Sequence, residues 1–223
     1  MAELPELSGP SVAPASGGKA EQVVMFVHGL GADGNDLIGL APHYRHVLPD
    51  AFFVSPDAPY PYDMAPIGRQ WFPIGDFSAE SRLAGVVAAA PILDAFIDET
   101  LAAHGLGADR LLLVGFSQGT MMSLHVGLRR EAPVAGIIGH SGMLAGRHLL
   151  DAEIRSRPPV LLTHGEADPL LPVQSLPRAE AALEEAGVSV EAHVRPGLGH
   201  GIDEECVHLG LAFAGRVFGV AGA

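Results

Sequence analysis

The chain is organised around residues 111–119, where an apolar run meets a glycine-flanked serine, and a helical pattern follows at 120–130. The run Leu-Leu-Leu-Val ends at Gly115, and Ser117 lies at the centre of Gly-Phe-Ser-Gln-Gly. A strand that turns straight into a helix holds one residue in strained geometry, and flanking glycines let neighbouring chain approach. The pattern predicts a nucleophile elbow that presents the Ser117 hydroxyl over the strand ends. The alternative is a serine that only N-caps a helix after a buried strand.

Apolar, β-branched runs alternate with helical patterns along the rest of the chain. Strands are expected at 23–27, 51–55, 111–114, 136–140, 159–163 and 188–194. Helices are expected at 36–45 with Asp36 as the cap, 78–104 with Ser78 as the cap, 120–130, 173–186 and 201–217. This alternation predicts an α/β fold with a mostly parallel central sheet and helices on both faces. Functional sites in such sheets form at the carboxyl ends of the strands.

The longest predicted helix, at 78–104, carries an apolar stripe that should face the core. Pro91 should kink this helix, and Gly105 should end it. We expect the buried stripe to consist of Leu83, Val86, Val87, Ala90, Leu93, Ile97 and Leu101.

Two connections bear on the predicted site. Residues 56–77 contain five prolines and no periodicity, and a loop of this length in a compact domain is usually functional. By contrast, the predicted strands at 136–140 and 159–163 leave too little chain between them for a helical insertion. We therefore expect no lid domain and an open pocket.

Composition and charge limit the classes of partner. With 48% hydrophobic and 17% charged residues over 223 positions, the chain has a globular composition. The net charge of −13 argues against nucleic acid and anionic membranes as partners. It also argues against a highly anionic substrate, unless a local basic patch overrides it. Cys206 is the single cysteine, so neither an intrachain disulfide nor a cysteine metal cluster is expected.

The first 20 residues differ in character from the rest. They are rich in Pro, Gly, Ser and Ala, and we expect an N-terminal arm with at most one short edge strand near 3–7. Residues 21–223 should form a single catalytic domain. The N-terminus has no signal-peptide pattern, and no apolar run reaches the roughly 18 residues of a spanning helix. We expect a cytoplasmic protein without membrane insertion, and a homodimer stays open as an alternative to a monomer.

A serine nucleophile needs a base, and the base needs an orienting acid, in the chain order Ser, acid, His for this type of sheet. Asp168 follows the predicted strand at 159–163 and is the first choice of acid, with Glu166 as its rival and an Asx-turn role as its alternative. His200 follows the strand at 188–194 in a glycine-rich loop and is the predicted base. Its alternative is a capping or solvated loop histidine.

The other histidines are expected to be structural. His193 alternates within a strand, His208 lies inside a helix, and His140 and His164 end strands near the site, where packing roles are more common.

Acyl transfer also requires two donors for the developing oxyanion. The N–H of Gln118, at the start of the helix after Ser117, is one candidate. The N–H of Leu30, in the glycine-rich stretch 28–31 after the first long strand, is the other. The alternative for 28–31 is a tight glycine turn with no catalytic role.

Together these stretches show a resemblance to a known family. The motifs at 28–36, 69–72, 115–119, 164–172 and 199–202 resemble those of the phospholipase/carboxylesterase family of α/β-hydrolases. That family includes bacterial carboxylesterases and is similar to the acyl-protein thioesterases. The resemblance implies an α/β-hydrolase fold, a triad of Ser117, Asp168 and His200, and an oxyanion hole from the amides of Leu30 and Gln118. It implies activity without a metal or another cofactor. The short N-terminus implies a reduced antiparallel edge of the sheet.

The leading hypothesis is a serine carboxylesterase that hydrolyses small-molecule esters with short-to-medium acyl groups through an acyl-enzyme. An acyl-protein thioesterase or lysophospholipase-type activity is the nearer alternative. A non-catalytic binding protein on the same fold is the alternative from another class. Besides Leu30, the residues expected to wall the substrate pocket are Met64, Trp71, Phe72, Phe116, Met143 and Leu170. The competing hypothesis for Trp71 and Phe72 is that they anchor their long loop to the core.

Overall fold

The computed structural model describes residues 4–76 and 78–220. The strands within these residues are β1 (Ser11–Val12), β2 (Gln22–Val27), β3 (Ala51–Val54), β4 (Tyr60–Pro61), β5 (Arg69–Gln70), β6 (Leu111–Phe116), β7 (Gly136–His140), β8 (Val160–Gly165) and β9 (Val190–Arg195). The helices are α1 (Gly34–Ile38), α2 (Ala41–Val47), α3 (Ala79–His104), α4 (Gln118–Gly127), α5 (Leu150–Glu153), α6 (Ser175–Glu185) and α7 (Glu204–Phe218).

Seven strands form one sheet in the order β1-β3-β2-β6-β7-β8-β9. Within this sheet, the strands from β3 to β9 in that order pair in parallel, and β1 pairs antiparallel with β3. The mostly parallel sheet and its reduced N-terminal edge are therefore confirmed. Parallel pairing aligns Val27 with Gly115 and Phe116 with His140. The carboxyl ends of β2, β6 and β7 consequently meet at one edge of the sheet.

Helices cover both faces of the sheet, as the alternation predicts. On one face, α3, α4 and α6 pack side chains such as Leu93, Met122 and Leu183 against the sheet. On the other face, Tyr44 from α2 and Phe213 from α7 belong to the second core cluster. Every residue of β2, β6 up to Gly115, and β7 is buried, because these central strands are covered on both sides.

Several predicted boundaries need correction. Residues 4–7 form no strand, and the edge strand lies at Ser11–Val12; residue 3 lies outside the described residues. Asp33, not Asp36, caps the first helix, because its carboxylate accepts the Asn35 N–H at 2.8 Å. Ser78 caps α3 and Gly105 ends it in a left-handed conformation, both as predicted.

The buried stripe of α3 is rotated from the expected one. Val87 is exposed, and the buried residues include Ala89, Ile92 and Thr100. With about 3.6 residues per turn, Ala89, Ile92 and Thr100 lie on the same side of the helix as Val86, Leu93 and Ile97, whereas Val87 lies at the edge of that side.

The two connections near the site differ in length and content. The segment at 56–77 forms the small antiparallel pair β4–β5, which its lack of periodicity did not predict; Phe77 lies outside the described residues. Between β7 and β8 the structure has a 3₁₀ turn at Arg147–Leu149 and the four-residue α5, without a lid domain. None of the described helices combines the length and apolarity needed to cross a bilayer.

Candidate active site

Ser117 occupies the sharp turn between β6 and α4, at φ 54° and ψ −112°. A positive φ is strained for a residue with a Cβ, and the N–H of Ser117 is held by the carbonyl of His140 at 2.9 Å. A Cβ at Gly119 would lie 1.8 Å from the Val27 oxygen, so only glycine fits there. Ser117 makes no side-chain capping bond to α4 within the described chain, so the structure does not support the N-cap alternative.

Asp168 follows β8 and has a fully buried carboxylate. Its Oδ1 accepts the N–H groups of Leu170 at 2.8 Å and Leu171 at 2.9 Å, while its Oδ2 lies 2.7 Å from Nδ1 of His200. Burial alone would raise the pKa of Asp168, but the Leu171 N–H, His200 and the Leu170 N–H together bring the pKa below its ordinary value. The Asx-turn role and the histidine contact thus coexist, and the carboxylate stays ionised.

Glu166, the rival acid, lies elsewhere in the same loop. Its carboxylate accepts the exposed Gly197 N–H at 3.2 Å, so it ties the β8 and β9 loops together. The structure brings Asp168, and not Glu166, into hydrogen-bond contact with His200.

His200 lies in the loop after β9, against the ring of Phe116, with 4.9 Å between ring centroids. Because Nδ1 contacts Asp168, Nε2 is the ring nitrogen left for other partners. His200 and Ser117 line the same cavity of about 400 Å³. The structure therefore brings the three residues of the predicted triad to one edge of the sheet.

His164 is closer to this group than the sequence indicates. Its Nε2 lies 3.2 Å from Oδ2 of Asp168 and 3.0 Å from the Leu171 carbonyl, and the ring is buried. The buried ring of His164 therefore helps to hold the Asp168 carboxylate in place. His208 is exposed and lies 3.9 Å from Glu205, and His193 lies within β9, so neither joins the site.

The two candidate oxyanion donors border the cavity. Gln118 is the first residue of α4, where an N–H has no intrahelical acceptor. Within residues 4–76 and 78–220 the N–H of Leu30 has no hydrogen-bond partner. The loop around Leu30 is held by the Gly31 N–H on the Arg69 carbonyl and the Arg69 N–H on the Ala32 carbonyl, each 2.8 Å. Both N–H groups are thus available to bind an oxyanion, and hydrogen bonds hold the loop that carries Leu30.

A buried hydrogen-bond network, which the sequence did not indicate, lies beneath the cavity. The Gln118 side chain accepts the Trp71 N–H at 2.8 Å and donates to the Phe72 carbonyl at 2.8 Å. The Trp71 indole donates to the His28 carbonyl at 3.0 Å, and Nε2 of His28 accepts the Ala58 N–H at 3.0 Å. The network joins the turn at Ser117, the glycine-rich loop and the 56–77 segment. Gln118 beside the serine and the single tryptophan are the sequence features from which this network could have been inferred.

The tautomer of His28 follows from its partners. Nε2 accepts a backbone N–H, so the ring proton lies on Nδ1, which donates to the Gly29 carbonyl at 2.7 Å. Burial lowers the pKa of His28, which keeps this tautomer neutral.

Five of the predicted wall residues line the cavity, namely Leu30, Met64, Phe72, Phe116 and Leu170. Two predictions were wrong. Trp71 is fully buried beneath the site, where it anchors its loop. Met143 faces a neighbouring cavity. The remaining lining residues are Tyr62, Ile74, Arg82, Met121 and Leu171.

A strained serine between a strand and a helix, at the carboxyl edge of a parallel sheet with helices on both faces, defines an α/β-hydrolase. The model of the phospholipase/carboxylesterase family matches residues 9–213, and the chain belongs to that family.

Relatives and solved structures agree with this membership. The crystal structure of esterase PE8 is similar with a TM-score of 0.92 and 41% identity, covering 95% of this chain and 99% of that one. Esterase YpfH of Escherichia coli is 29% identical over 86% of this chain and 81% of its own length. Acyl-protein thioesterase 1 of Neurospora crassa is 31% identical over 90% of this chain and 86% of its own.

Proposed function

We propose that the protein is a serine carboxylesterase that cleaves small-molecule esters with short-to-medium acyl groups. The observation that carries this proposal is the 2.7 Å contact between Nδ1 of His200 and Oδ2 of Asp168, beside a cavity that Ser117 also lines. The membership of the phospholipase/carboxylesterase family and the similarity to esterase PE8 support it. The two cores share one sheet, which supports a single catalytic domain over residues 21–223.

In the proposed reaction, Nε2 of His200 removes the proton from Ser117 as Oγ attacks the ester carbonyl. Asp168 holds the proton on Nδ1 and stabilises the imidazolium that forms. The N–H groups of Leu30 and Gln118 bind the oxyanion. His200 then protonates the leaving alcohol, and an acyl-enzyme remains on Ser117. Water attacks this acyl group by the same steps in reverse, releasing the carboxylic acid without any metal or cofactor.

The cavity supports the proposed acyl range. It measures about 400 Å³, and apolar side chains such as Phe72, Phe116 and Met121 contribute to its walls. Each buried CH₂ contributes roughly 0.8 kcal/mol, so longer acyl groups should bind better until the cavity is full. Since the connection between β7 and β8 holds only a 3₁₀ turn and a four-residue helix, we expect a dissolved ester to reach Ser117 directly.

Thioester hydrolysis is the second candidate, because two acyl-protein thioesterases are among the relatives. The proposed oxyanion donors and triad would act on either bond, since both form a tetrahedral oxyanion.

The test is a panel of dissolved aryl esters and matching acyl thioesters, assayed with wild type, Ser117→Ala and Ser123→Ala. Ser123 lies on the same helix, is buried, and its hydroxyl has no partner in the described chain, so it is a matched control. We expect ester turnover to vanish in Ser117→Ala and to persist in Ser123→Ala. Full turnover by Ser117→Ala would overturn the proposal, and a preference for thioesters would move it to the second candidate.

A further inference from the structure

A second cavity, of about 560 Å³, lies on the same edge of the sheet, between the start of α3, the 3₁₀ turn after β7 and the start of α6. Each of these three elements contributes one arginine: Arg82, Arg147 and Arg178. Glu80 is the one carboxylate among the lining residues, and His148 also borders the cavity. The lining therefore has an excess of positive charge.

This charge is not neutralised locally. Within residues 4–76 and 78–220, none of the three arginines lies within 4.0 Å of a carboxylate oxygen. Other arginines do form close ion pairs, namely Arg129, Arg130, Arg195 and Arg216. A chain with 26 acidic and 13 basic residues could easily pair its arginines. Three unpaired ones around one cavity make the local basic patch that the overall charge does not indicate.

The patch is continuous with the candidate active site. Arg82 lines both this cavity and the one that holds Ser117 and His200. The arginine-lined cavity also has apolar lining from Leu83, Val87 and Met143. A guanidinium binds carboxylate and phosphate oxygens through paired N–H groups. A molecule with an ester at one end, an apolar middle and an anion at the other matches the order of these surfaces.

We propose that the preferred substrates are esters that carry an anionic group, a carboxylate or a phosphate, which the arginine-lined cavity binds while Ser117 receives the ester carbonyl. This inference rests on the proposed esterase function and adds the substrate class. The reaction is ordinary ester hydrolysis, in which water cleaves the acyl C–O bond to a carboxylic acid and an alcohol. The distal anion is bound and chemically unchanged.

The test uses aryl monoesters of linear dicarboxylic acids from succinate to suberate, each paired with the same compound methylated on the free carboxylate. The members of each pair differ chiefly in charge. We expect the anionic member to have a kcat/KM at least about tenfold higher at the chain length that spans the two cavities, because hydrogen bonds to charged groups are the stronger ones. This preference should fall as NaCl is added. A phosphate-terminated ester of the best length distinguishes the two anions.

The variant arm combines Arg147→Gln with Arg178→Gln, both exposed residues. The anionic-to-neutral ratio should fall about tenfold, mainly through KM. The control combines Arg45→Gln with Arg110→Gln, which removes the same charge outside both cavities, and its ratio should equal that of wild type. Equal turnover of both members at every length, or the same fall in the control, would overturn the inference. If the inference failed in this way but Ser117→Ala still abolished hydrolysis of the neutral esters, the proposed esterase function would stand without a preference for anionic substrates.

Discussion

The floor and the rim of the cavity beside Ser117 are built in opposite ways. By the floor we mean the layer of His28, Trp71 and Gln118, which are buried and joined by hydrogen bonds. Gln118 lines the cavity, and His28 and Trp71 lie beneath it. The rim includes Met64 and Leu170, which are 78% and 69% exposed. Polar groups held in a buried network stay oriented, whereas exposed apolar groups gain stability when a ligand covers them. The contrast indicates that the floor sets the geometry of the chemistry and the rim selects the substrate.

The largest effect should follow from changing the acid. Asp168→Asn keeps an acceptor for the Leu170 and Leu171 N–H groups but presents an amide N–H to His200, which favours the wrong tautomer. We expect kcat to fall by about 10⁴, by analogy with known triads. The neighbouring Glu166→Gln, at an exposed carboxylate, is the control and should stay near wild type. The kcat of the double variant His200→Ala with Asp168→Asn should be little lower than that of either single variant. Full activity in Asp168→Asn would exclude Asp168 from the mechanism.

Two buried histidines, His140 in β7 and His125 in α4, should make the free energy of unfolding depend on pH. Burial lowers the pKa of His140 to about 4, and burial together with Arg129 lowers that of His125 to about 4. Between pH 6.5 and 4 the unfolded chain therefore binds more protons than the folded one, and stability falls as the pH falls. For His140 the loss at pH 5 should be about 2 kcal/mol.

Denaturant midpoints at pH 7.5 and pH 5 measure this loss. His140→Gln should reduce the difference between the two pH values, and His43→Gln, at an exposed residue, should leave it unchanged. A wild-type protein that is equally stable at both pH values would contradict the buried neutral state.

A smaller effect on turnover should come from the Gln118 side chain, whose two hydrogen bonds to Trp71 and Phe72 we call the clamp. Gln118→Leu leaves the Trp71 N–H and the Phe72 carbonyl buried without partners, at a cost of about 1–3 kcal/mol each. The N–H of Gln118 remains, but its loop loses support, so we expect kcat to fall about 10–100-fold. Gln118→Glu keeps the acceptor for Trp71 and should lie between. Gln174→Leu, at an exposed glutamine, is the control; an unchanged kcat in Gln118→Leu would mean that the clamp only stabilises the fold.

The smallest effect should come from the rim. Met64→Ala and Leu170→Ala should each reduce kcat/KM a few-fold for octanoyl esters and leave acetyl esters unchanged, because only a long acyl group reaches the rim. Ile67→Ala is the control, since Ile67 is 79% exposed and does not line the cavity. Rates should change smoothly across the critical micelle concentration of the ester. A steep rise there, with negligible turnover of dissolved ester, would indicate a covered site.

Local sequence patterns predict one part of the site, and contacts between distant residues determine the rest. The turn at Ser117, the mostly parallel sheet and the meeting of Asp168 with His200 follow from local patterns and the parallel topology. The burial of Trp71 depends on contacts with His28 and Gln118, residues 43 and 47 positions away, which no local pattern contains. The location of Met143 in the second cavity likewise depends on how α3 and α6 pack around that cavity. Distant contacts thus decide which of the predicted residues reach the pocket.

Covalent labelling can identify the nucleophile, which we propose is Ser117. A fluorophosphonate should add one adduct per chain, and peptide mass mapping should place it on Ser117. The adduct should be absent in Ser117→Ala and present in Ser123→Ala. An adduct on another serine would contradict the account, above all one on Ser141, which is buried and also has a positive φ of 47°.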